Sequence, residues 1–275
     1  MSVAYALLAA FSWGAGGLFA GLASRRIAIV SVLLFDLSTG VLLGVPFALI
    51  TANDFFLNDF LIGCTAGLFG AGGALFFYRA LRSSMTSAAP IAGVMSVLIP
   101  LIWSMIFGES ISVLQSFGIL FGLLGIFLVS NPKNSYFKKQ TSQLFNGIFA
   151  GIGFGTYYLF LDATDSNSAP WPAVGSRILP AVLILIFVLV VRPKLNKPGL
   201  GFFLASATGI ANLTAAIFFL AAVNRGPLGL TSVLASLFPA ITVTLARFFL
   251  NEKMSIQQTT GVIAALLSIV LIVGG

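Results

Sequence analysis

Long apolar runs alternate with short polar breaks over the whole chain. Ten such runs can be marked, at residues 3–22, 30–50, 60–80, 87–107, 113–130, 144–161, 171–191, 200–222, 228–249 and 257–273. Most approach the ~20 residues that an α-helix needs to cross a bilayer. Backbone groups in lipid must be bonded within the segment, and the runs are continuous rather than alternating, so they indicate helices. The pattern therefore predicts an all-α membrane protein with ten transmembrane helices.

The two halves of the chain resemble each other. Three polar residues recur 143 positions apart, Glu109 as Glu252, Ser112 as Ser255 and Gln115 as Gln258. A shared apolar bias does not place such residues in register, so we infer a duplication. Because each half holds five runs, an odd number, the second half must be inverted relative to the first. The prediction is two inverted five-helix repeats, residues 1–130 and 144–275, joined by a polar linker loop at 131–143. Inverted repeats are typical of secondary transporters, whose substrate site lies near mid-membrane.

Composition supports the membrane interpretation and limits the chemistry. Hydrophobic residues make up 59% of the chain and charged residues 8%, against roughly 25% charged in soluble domains. The chain has no histidine, its single cysteine is Cys64, and it contains no nucleotide-binding GxxxxGK[ST] loop. We therefore expect no metal, no cofactor and no enzymatic activity.

The net charge of +7 comes from 14 basic and 7 acidic residues, dispersed in short loops. We interpret this charge as setting topology, not as a nucleic-acid site. The loops after odd-numbered runs contain Arg25, Arg26, Arg82, Lys133, Lys138, Lys139, Arg192, Lys194, Lys197 and Lys253. The loops after even-numbered runs contain one basic residue, Arg225, and several acidic ones. Because basic loops stay in the cytoplasm, these charges predict that both termini lie outside.

Several short elements, in order and duplicated, carry a family resemblance. Ser12-Trp13-Gly14 in run 1 recurs as Gly153-Phe154-Gly155 in run 6, Tyr78 begins an aromatic-x-Ala-Leu element, and Gly108 begins a Gly-Glu-x-x-Ser turn. Together they resemble the EamA-type transporters of the drug/metabolite transporter superfamily. The resemblance implies a ten-helix, multi-pass inner-membrane transporter for small organic solutes, often amino acids and frequently exported. It also implies cytoplasmic termini, opposite to the prediction from the loop charges.

Two charges inside apolar runs are the main candidates for substrate binding. Asp36 lies in run 2, where the family often has an arginine, and Arg177 stands at the matching point of run 7. Buried charges in lipid face a partner or a cavity. Asp36 is therefore either a substrate-ammonium or proton site, or the partner of Arg79 or Arg82. Arg177 either contacts the solute or reaches the interface, where Asp162 and Asp165 lie. With the second half inverted, we expect the two charges about 15 Å apart in depth and not paired directly.

The remaining candidates are aromatic, amide and proline residues. Trp13, Tyr78, Phe154 and Tyr157 are predicted to line a cavity together with Asp36 and Arg177, although aromatic residues at span ends also anchor helices at the interface. Asn212, in the middle of run 8, is either a substrate contact or a hydrogen-bonding group between helices. Pro90, Pro100 and Pro239 interrupt helical hydrogen bonding and are hinge candidates.

These features predict a secondary transporter, expected to be an exporter, that moves an amino acid or related amphipathic solute by alternating access around a mid-membrane cavity. The expected partners are the small-molecule substrate and the lipid bilayer, with protons as a candidate coupling ion through Asp36. The protein is expected to be a monomer or homodimer that does not bind nucleic acid. A membrane-embedded enzyme and a non-transporting membrane scaffold are the alternatives.

Overall fold

The computed structural model describes residues 1–52, 54–83, 85–108, 111–130, 137–193, 199–250 and 256–274. Within these ranges the chain is helical, with no strand. The helices are α1 Ser2–Ser24, α2 Ile29–Thr51, α3 Leu57–Ser83, α4 Met85–Ile106, α5 Val113–Ser130, α6 Phe137–Asp162, α7 Trp171–Val191, α8 Leu200–Val223, α9 Leu228–Ala235, α10 Phe238–Leu250 and α11 Ile256–Gly274. The prediction of an all-α protein is confirmed.

Six of the described helical segments are long and apolar enough to cross a membrane: Ser2–Ser24, Ile29–Thr51, Leu57–Arg82, Trp171–Val191, Leu200–Val223 and Leu228–Ala246. Shorter apolar stretches lie at Ala92–Ile106, Val113–Gly125 and Thr259–Ser268. The number of ten crossings stays a prediction.

Two of the predicted runs differ from the helices observed. Run 9, predicted as one span over 228–249, is divided into α9 and α10, with a break at Ser236 and Leu237. Helix α6 begins at Phe137, inside the segment assigned to the linker loop. The rest of that linker, 131–136, lies outside the described residues, as do Glu109 and Glu252.

Small residues, together with a smaller number of large apolar ones, fill the interior. Many other large apolar side chains cover the outside. Leu49, Ile50, Val190, Phe203 and Phe249 are each at least 70% exposed. A continuous apolar exterior of this kind has no favourable partner in water, whereas lipid tails solvate it. The exposed surface therefore supports placement of the bundle in a bilayer.

Contacts between the halves follow a reciprocal pattern. Helix α1 packs on α8, and its counterpart in the second half, α6, packs on the equivalent first-half helix, α3. In the same way α2 packs on α8 while α7 packs on α3, and α5 packs on α11. Such exchange of partners is expected when two copies of one five-helix unit are related by a two-fold axis.

Glycines allow the closest of these helix contacts. A Cβ atom added to Gly63 of α3 would lie 2.2 Å from the carbonyl oxygen of Pro172 in α7. A Cβ atom added to Gly67 would lie 2.3 Å from the carbonyl oxygen of Ser176, also in α7. A Cβ on Gly209 of α8 would lie 2.3 Å from the carbonyl oxygen of Asp36 in α2. Backbones in direct contact bring short polar side chains on the same helix faces within bonding distance of each other.

Candidate functional site

Asp36 lies on the inner face of α2. Its neighbours on that stripe, Leu33, Gly40, Gly44 and Ala48, are also buried and follow the helical repeat. The side chain of Asp36 is only 1% exposed as a residue, so its oxygens depend on protein partners. The helical period thus directs a carboxylate into the centre of the bundle.

Two neutral side chains hold this carboxylate. The hydroxyl of Tyr78, near the end of α3, donates to Asp36 Oδ2 at 2.5 Å. The amide Nδ2 of Asn212, in the middle of α8, lies 3.2 Å from Oδ1 and 3.1 Å from Oδ2 of Asp36, and 3.1 Å from the Tyr78 hydroxyl. Both carboxylate oxygens therefore have donors that come from two other helices and from both halves of the chain.

Arg177 in α7 is the fourth member of this cluster. Its Nη1 lies 4.0 Å from Asp36 Oδ1, and its Nη2 donates to the backbone oxygen of Asn212 at 3.0 Å. The expectation that the two charges lie about 15 Å apart and do not pair is therefore wrong. It counted backbone depth and ignored the reach of the arginine side chain along α2. The stem of Arg177 crosses Gly40, one turn from Asp36, where an added Cβ would lie 3.1 Å from Arg177 Cδ.

Asp36 and Arg177 pair with each other and not with the alternative partners considered from the sequence. Arg79 and Arg82 are exposed, and the guanidinium of Arg79 lies over the ring of Phe76, 5.7 Å from its centroid. Asp165 is exposed, with its backbone N–H donating to the carboxylate of Asp59 at 3.0 Å. Asp36 and Arg177 instead face each other inside the bundle.

One cavity adjoins all four of these side chains. It is lined by the seven candidate residues, Trp13, Asp36, Tyr78, Phe154, Tyr157, Arg177 and Asn212, and by twelve others, including Phe77, Tyr158, Ser176 and Phe238. The centres of water-sized spheres can occupy about 60 Å³ of it. Pockets that enclose organic ligands are commonly about 300–1,000 Å³. The cavity as it stands has room for a few waters and must widen before an organic solute fits.

Aromatic rings form a large part of the cavity lining. The ring of Phe77 meets those of Phe154 and Phe238 edge-on, at centroid distances of 5.6 and 5.7 Å. Trp13 lies 5.3 Å from Tyr158, centroid to centroid. The cavity lining thus combines charged and hydrogen-bonding side chains with apolar aromatic rings.

Two buried polar atoms at this cavity have no hydrogen-bond partner in the described structure: the hydroxyl of Tyr157 and Nε of Arg177. The Tyr157 hydroxyl lies close to the side chains of Ser176 and Arg177, and Ser176 Oγ donates to the Ala173 carbonyl at 2.7 Å. Buried polar groups are rarely left unpaired in folded proteins, so both atoms call for an explanation.

The two halves contribute unlike residues at matching positions. Gly16 in α1 abuts Asn212, whereas its counterpart, Tyr157 in α6, abuts Gly70, which is the counterpart of Asn212. Each pair joins a glycine to a larger residue. The glycine lies in α1 in the first pair, whereas in the second pair it lies in α3 and not in α6, the counterpart of α1. This exchange puts an amide at the position in one half where the other half has a tyrosine ring.

Sequence reasoning did not single out Phe77, Ser176 or Phe238, which also line the cavity. Phe77 and Ser176 immediately precede Tyr78 and Arg177, and the helical repeat alone does not say which of two adjacent residues faces inward. Phe238 is the first residue of α10, so its position depends on the break that precedes it.

The proline candidates occupy different settings. Pro239 is the second residue of α10, directly after the break that divides run 9. Pro100 is buried within α4, which continues through it, and the side chain of Pro90 in the same helix lies outside the described residues. Their role as hinges stays a prediction.

Among the residues that the structure describes, no group of three or more His, Cys, Asp or Glu side chains is placed to hold a metal ion.

Comparison with known proteins gives a family for both halves. The model of the EamA-like transporter family matches residues 1–131 and again residues 141–274. The chain also resembles a solved crystal structure described only as that of a protein, with a TM-score of 0.73 and 16% identity, covering 96% of this chain and 95% of that one. That likeness shows the fold alone. No curated protein matches the chain.

Proposed function

This chain belongs to the EamA-like transporter family, and from that premise we propose that it is a secondary transporter of a small amphipathic organic solute. The solute is of the size and kind of an amino acid, and the expected direction is export across the inner membrane. Transport proceeds by alternating access around the cavity that Asp36, Tyr78, Arg177 and Asn212 adjoin.

The observation that carries this proposal is the composition of the cavity from both halves. Asp36 and Tyr78 belong to the first repeat, and Arg177 and Asn212 belong to the second. Any rocking of one half against the other must change the distances between these side chains. A site at such a junction can be exposed alternately to the two sides of the membrane.

The packing of the helices suits such movement. Helices α5 and α11 pack chiefly on each other, at a distance from the cavity lining, and they can brace the bundle while the other helices rock. The break between α9 and α10 precedes Phe238, a residue that lines the cavity. Bending at this break would therefore change the shape of the site directly.

Asp36 is the carboxylate available in the cavity for proton coupling. Its protonation would remove its attraction for Arg177, 4.0 Å away, and so weaken a contact between the two halves. Proton binding and opening of the cavity would thereby be linked through one ion pair.

Transport by purified protein in liposomes tests the proposal. Liposomes preloaded with an unlabelled amino acid should take up the labelled form faster than protein-free liposomes, and an imposed proton gradient should accelerate uptake. Asp36→Asn should abolish that acceleration, whereas Asp54→Asn, at an exposed carboxylate outside the cavity, should retain it. Full proton-driven uptake by Asp36→Asn would remove Asp36 from coupling. Failure to move any member of a broad metabolite panel would count against transport.

A further inference from the structure

The two unpartnered polar atoms of the cavity belong to neighbouring side chains, one from α6 and one from α7. Nε of Arg177 and the hydroxyl of Tyr157 have no hydrogen-bond partner, and the two residues are 9% and 5% exposed. Both N–H and O–H can donate, so an acceptor placed between them would satisfy both. The adjacent cavity is where such an acceptor can enter.

The carboxylate of Asp36, unlike the guanidinium of Arg177, already has its hydrogen-bond partners. Both oxygens of Asp36 already have donors, at 2.5 Å from Tyr78 and at 3.1 and 3.2 Å from Asn212. Arg177 makes one hydrogen bond through Nη2, and its Nη1 stands 4.0 Å from Asp36, longer than a hydrogen bond. The protein thus satisfies its carboxylate internally and leaves its guanidinium with spare donors.

We propose that Arg177 Nε–H and the Tyr157 hydroxyl bind a carboxylate of the transported solute, and that an ammonium group on the solute is not required. This inference rests on the proposed function and narrows its substrate class to organic monocarboxylates with an apolar body. The body lies against the rings of Phe77, Phe154 and Phe238, which line the same cavity as Arg177.

The charge of the site favours a carboxylate over a more highly charged group. A planar guanidinium presents parallel N–H donors that match the two oxygens of a carboxylate. Arg177 already faces Asp36, so an ionised Asp36 offsets the charge of the guanidinium before the solute binds. One added negative charge can share the guanidinium with Asp36, whereas a phosphate dianion would face one shared cation in a poorly solvated site.

Binding of matched acids and amines by the purified full-length protein tests the inference. The probes are benzoate and 3-phenylpropionate, with benzylamine, 3-phenylpropylamine, 3-phenylpropanol and phenyl phosphate for comparison. The wild-type protein should bind each acid at least ten-fold more tightly than its matched amine, and more tightly than the alcohol or the phosphate. An amine that binds as tightly as its acid, or the absence of acid binding, would overturn the proposal.

A Tyr157→Phe variant separates ligand binding from a structural role. It deletes a hydroxyl that has no partner, so the empty protein should be at least as thermally stable as wild type. Its affinity for the acids should nevertheless fall roughly ten-fold, since a hydrogen bond to a charged group is lost. Tyr5→Phe is the matched control, because Tyr5 stacks on Phe218 outside the cavity lining. Unchanged acid affinity in Tyr157→Phe would contradict the proposal.

An Arg177→Lys variant tests the role of the arginine separately. It keeps the positive charge and removes the planar guanidinium with its parallel N–H donors. Its preference for acid over amine should shrink; an undiminished preference would overturn the role of Arg177.

Liposome assays distinguish this inference from the proposed function. A protein that binds the acids and moves no solute refutes transport alone, whereas one that moves amines and not acids refutes the carboxylate site alone.

Discussion

At the scale of single residues, Asp36 and Arg177 are opposite charges held in the interior by unequal sets of partners. Asp36 has Tyr78 and Asn212 as donors, so it retains hydrogen bonds even without the arginine. Arg177 has one backbone acceptor and the more distant carboxylate. Removal of one partner from a buried pair leaves an uncompensated charge, which costs more than the pair itself contributes.

Leucine substitutions at this pair should therefore be unequal. Asp36→Leu leaves the guanidinium without a counter-charge and should lower the free energy of unfolding by about 3–5 kcal/mol. Arg177→Leu should cost less, since Asp36 keeps its neutral donors and can be protonated. The double variant should be more stable than Asp36→Leu alone. Thermal unfolding in detergent measures all three, and additive losses in the double variant would contradict a coupled pair.

The sequence singled out the residues of this cluster but placed two of them too far apart. A charge within an apolar run is conspicuous in any sequence, which is why Asp36 and Arg177 were found. Their distance depended on the length of the arginine side chain and on Gly40, which leaves room for it to lie along α2. That packing detail has no signature in the spacing of residues along the chain.

At the scale of helices, small residues decide which backbones touch. Gly63 and Gly67 repeat at four-residue spacing on α3, and both face α7 backbone atoms closer than any Cβ could approach. The Gly-x-x-x-Gly spacing indicates a close helix contact but does not identify the partner helix. Here that contact holds α7, and with it Arg177, against the helix that carries Tyr78.

Alanine substitutions along α3 should separate helix propensity from packing. Gly67→Ala places a methyl group 2.3 Å from the Ser176 carbonyl oxygen and should destabilise the protein by about 1–3 kcal/mol. Gly72→Ala is the matched control, because nothing lies within 4 Å of its added Cβ; it should be neutral or stabilise by up to about 1 kcal/mol. The comparison is of unfolding temperatures in one detergent. Equal shifts for the two variants would mean that the close contact is absent.

Helix positions were largely predictable, and the division of run 9 was not. Run 2, predicted at 30–50, is the helix Ile29–Thr51, because lipid-spanning length and apolar content define it. The break at Ser236 has a local signal in Pro239, yet prolines at 90 and 100 lie within a continuous α4. Neighbouring helices decide whether a proline bends a helix or ends it. At the break, Ser236 Oγ lies 3.0 Å from Ser96 Oγ of α4, a contact with no counterpart in the sequence pattern.

At the scale of the whole molecule, two copies of one unit pack with exchanged partners around a cavity. The family model matches each half separately, and α1 on α8 is repeated by α6 on α3. Five predicted crossings in each half require that the two copies enter the membrane from opposite sides. Inversion then follows from the number of crossings, which stays a prediction.

Thiol labelling tests that inversion directly. With Cys64 replaced by alanine, single cysteines are placed at Arg25 and at Ser166, which are matching exposed positions after α1 and α6. If the halves are inverted, a membrane-impermeant thiol reagent applied to intact cells should label one variant and not the other. The loop charges predict that Ser166→Cys is the one labelled. Labelling or protection of both would contradict the odd number of crossings.

The sequence by itself determined the membrane class, the duplication and the identity of the charged and aromatic candidates. These depend on composition, run length and recurrence, which are properties of the chain alone. Only the tertiary structure decided that seven candidates from six helices line one cavity, that Asp36 meets Arg177, and that Tyr157 and Arg177 keep unpaired donors. Side-chain distances between helices depend on glycine contacts and on the reach of individual side chains. Because those contacts join residues far apart in the chain, such as Asp36 and Asn212 at 176 positions, no local pattern records them.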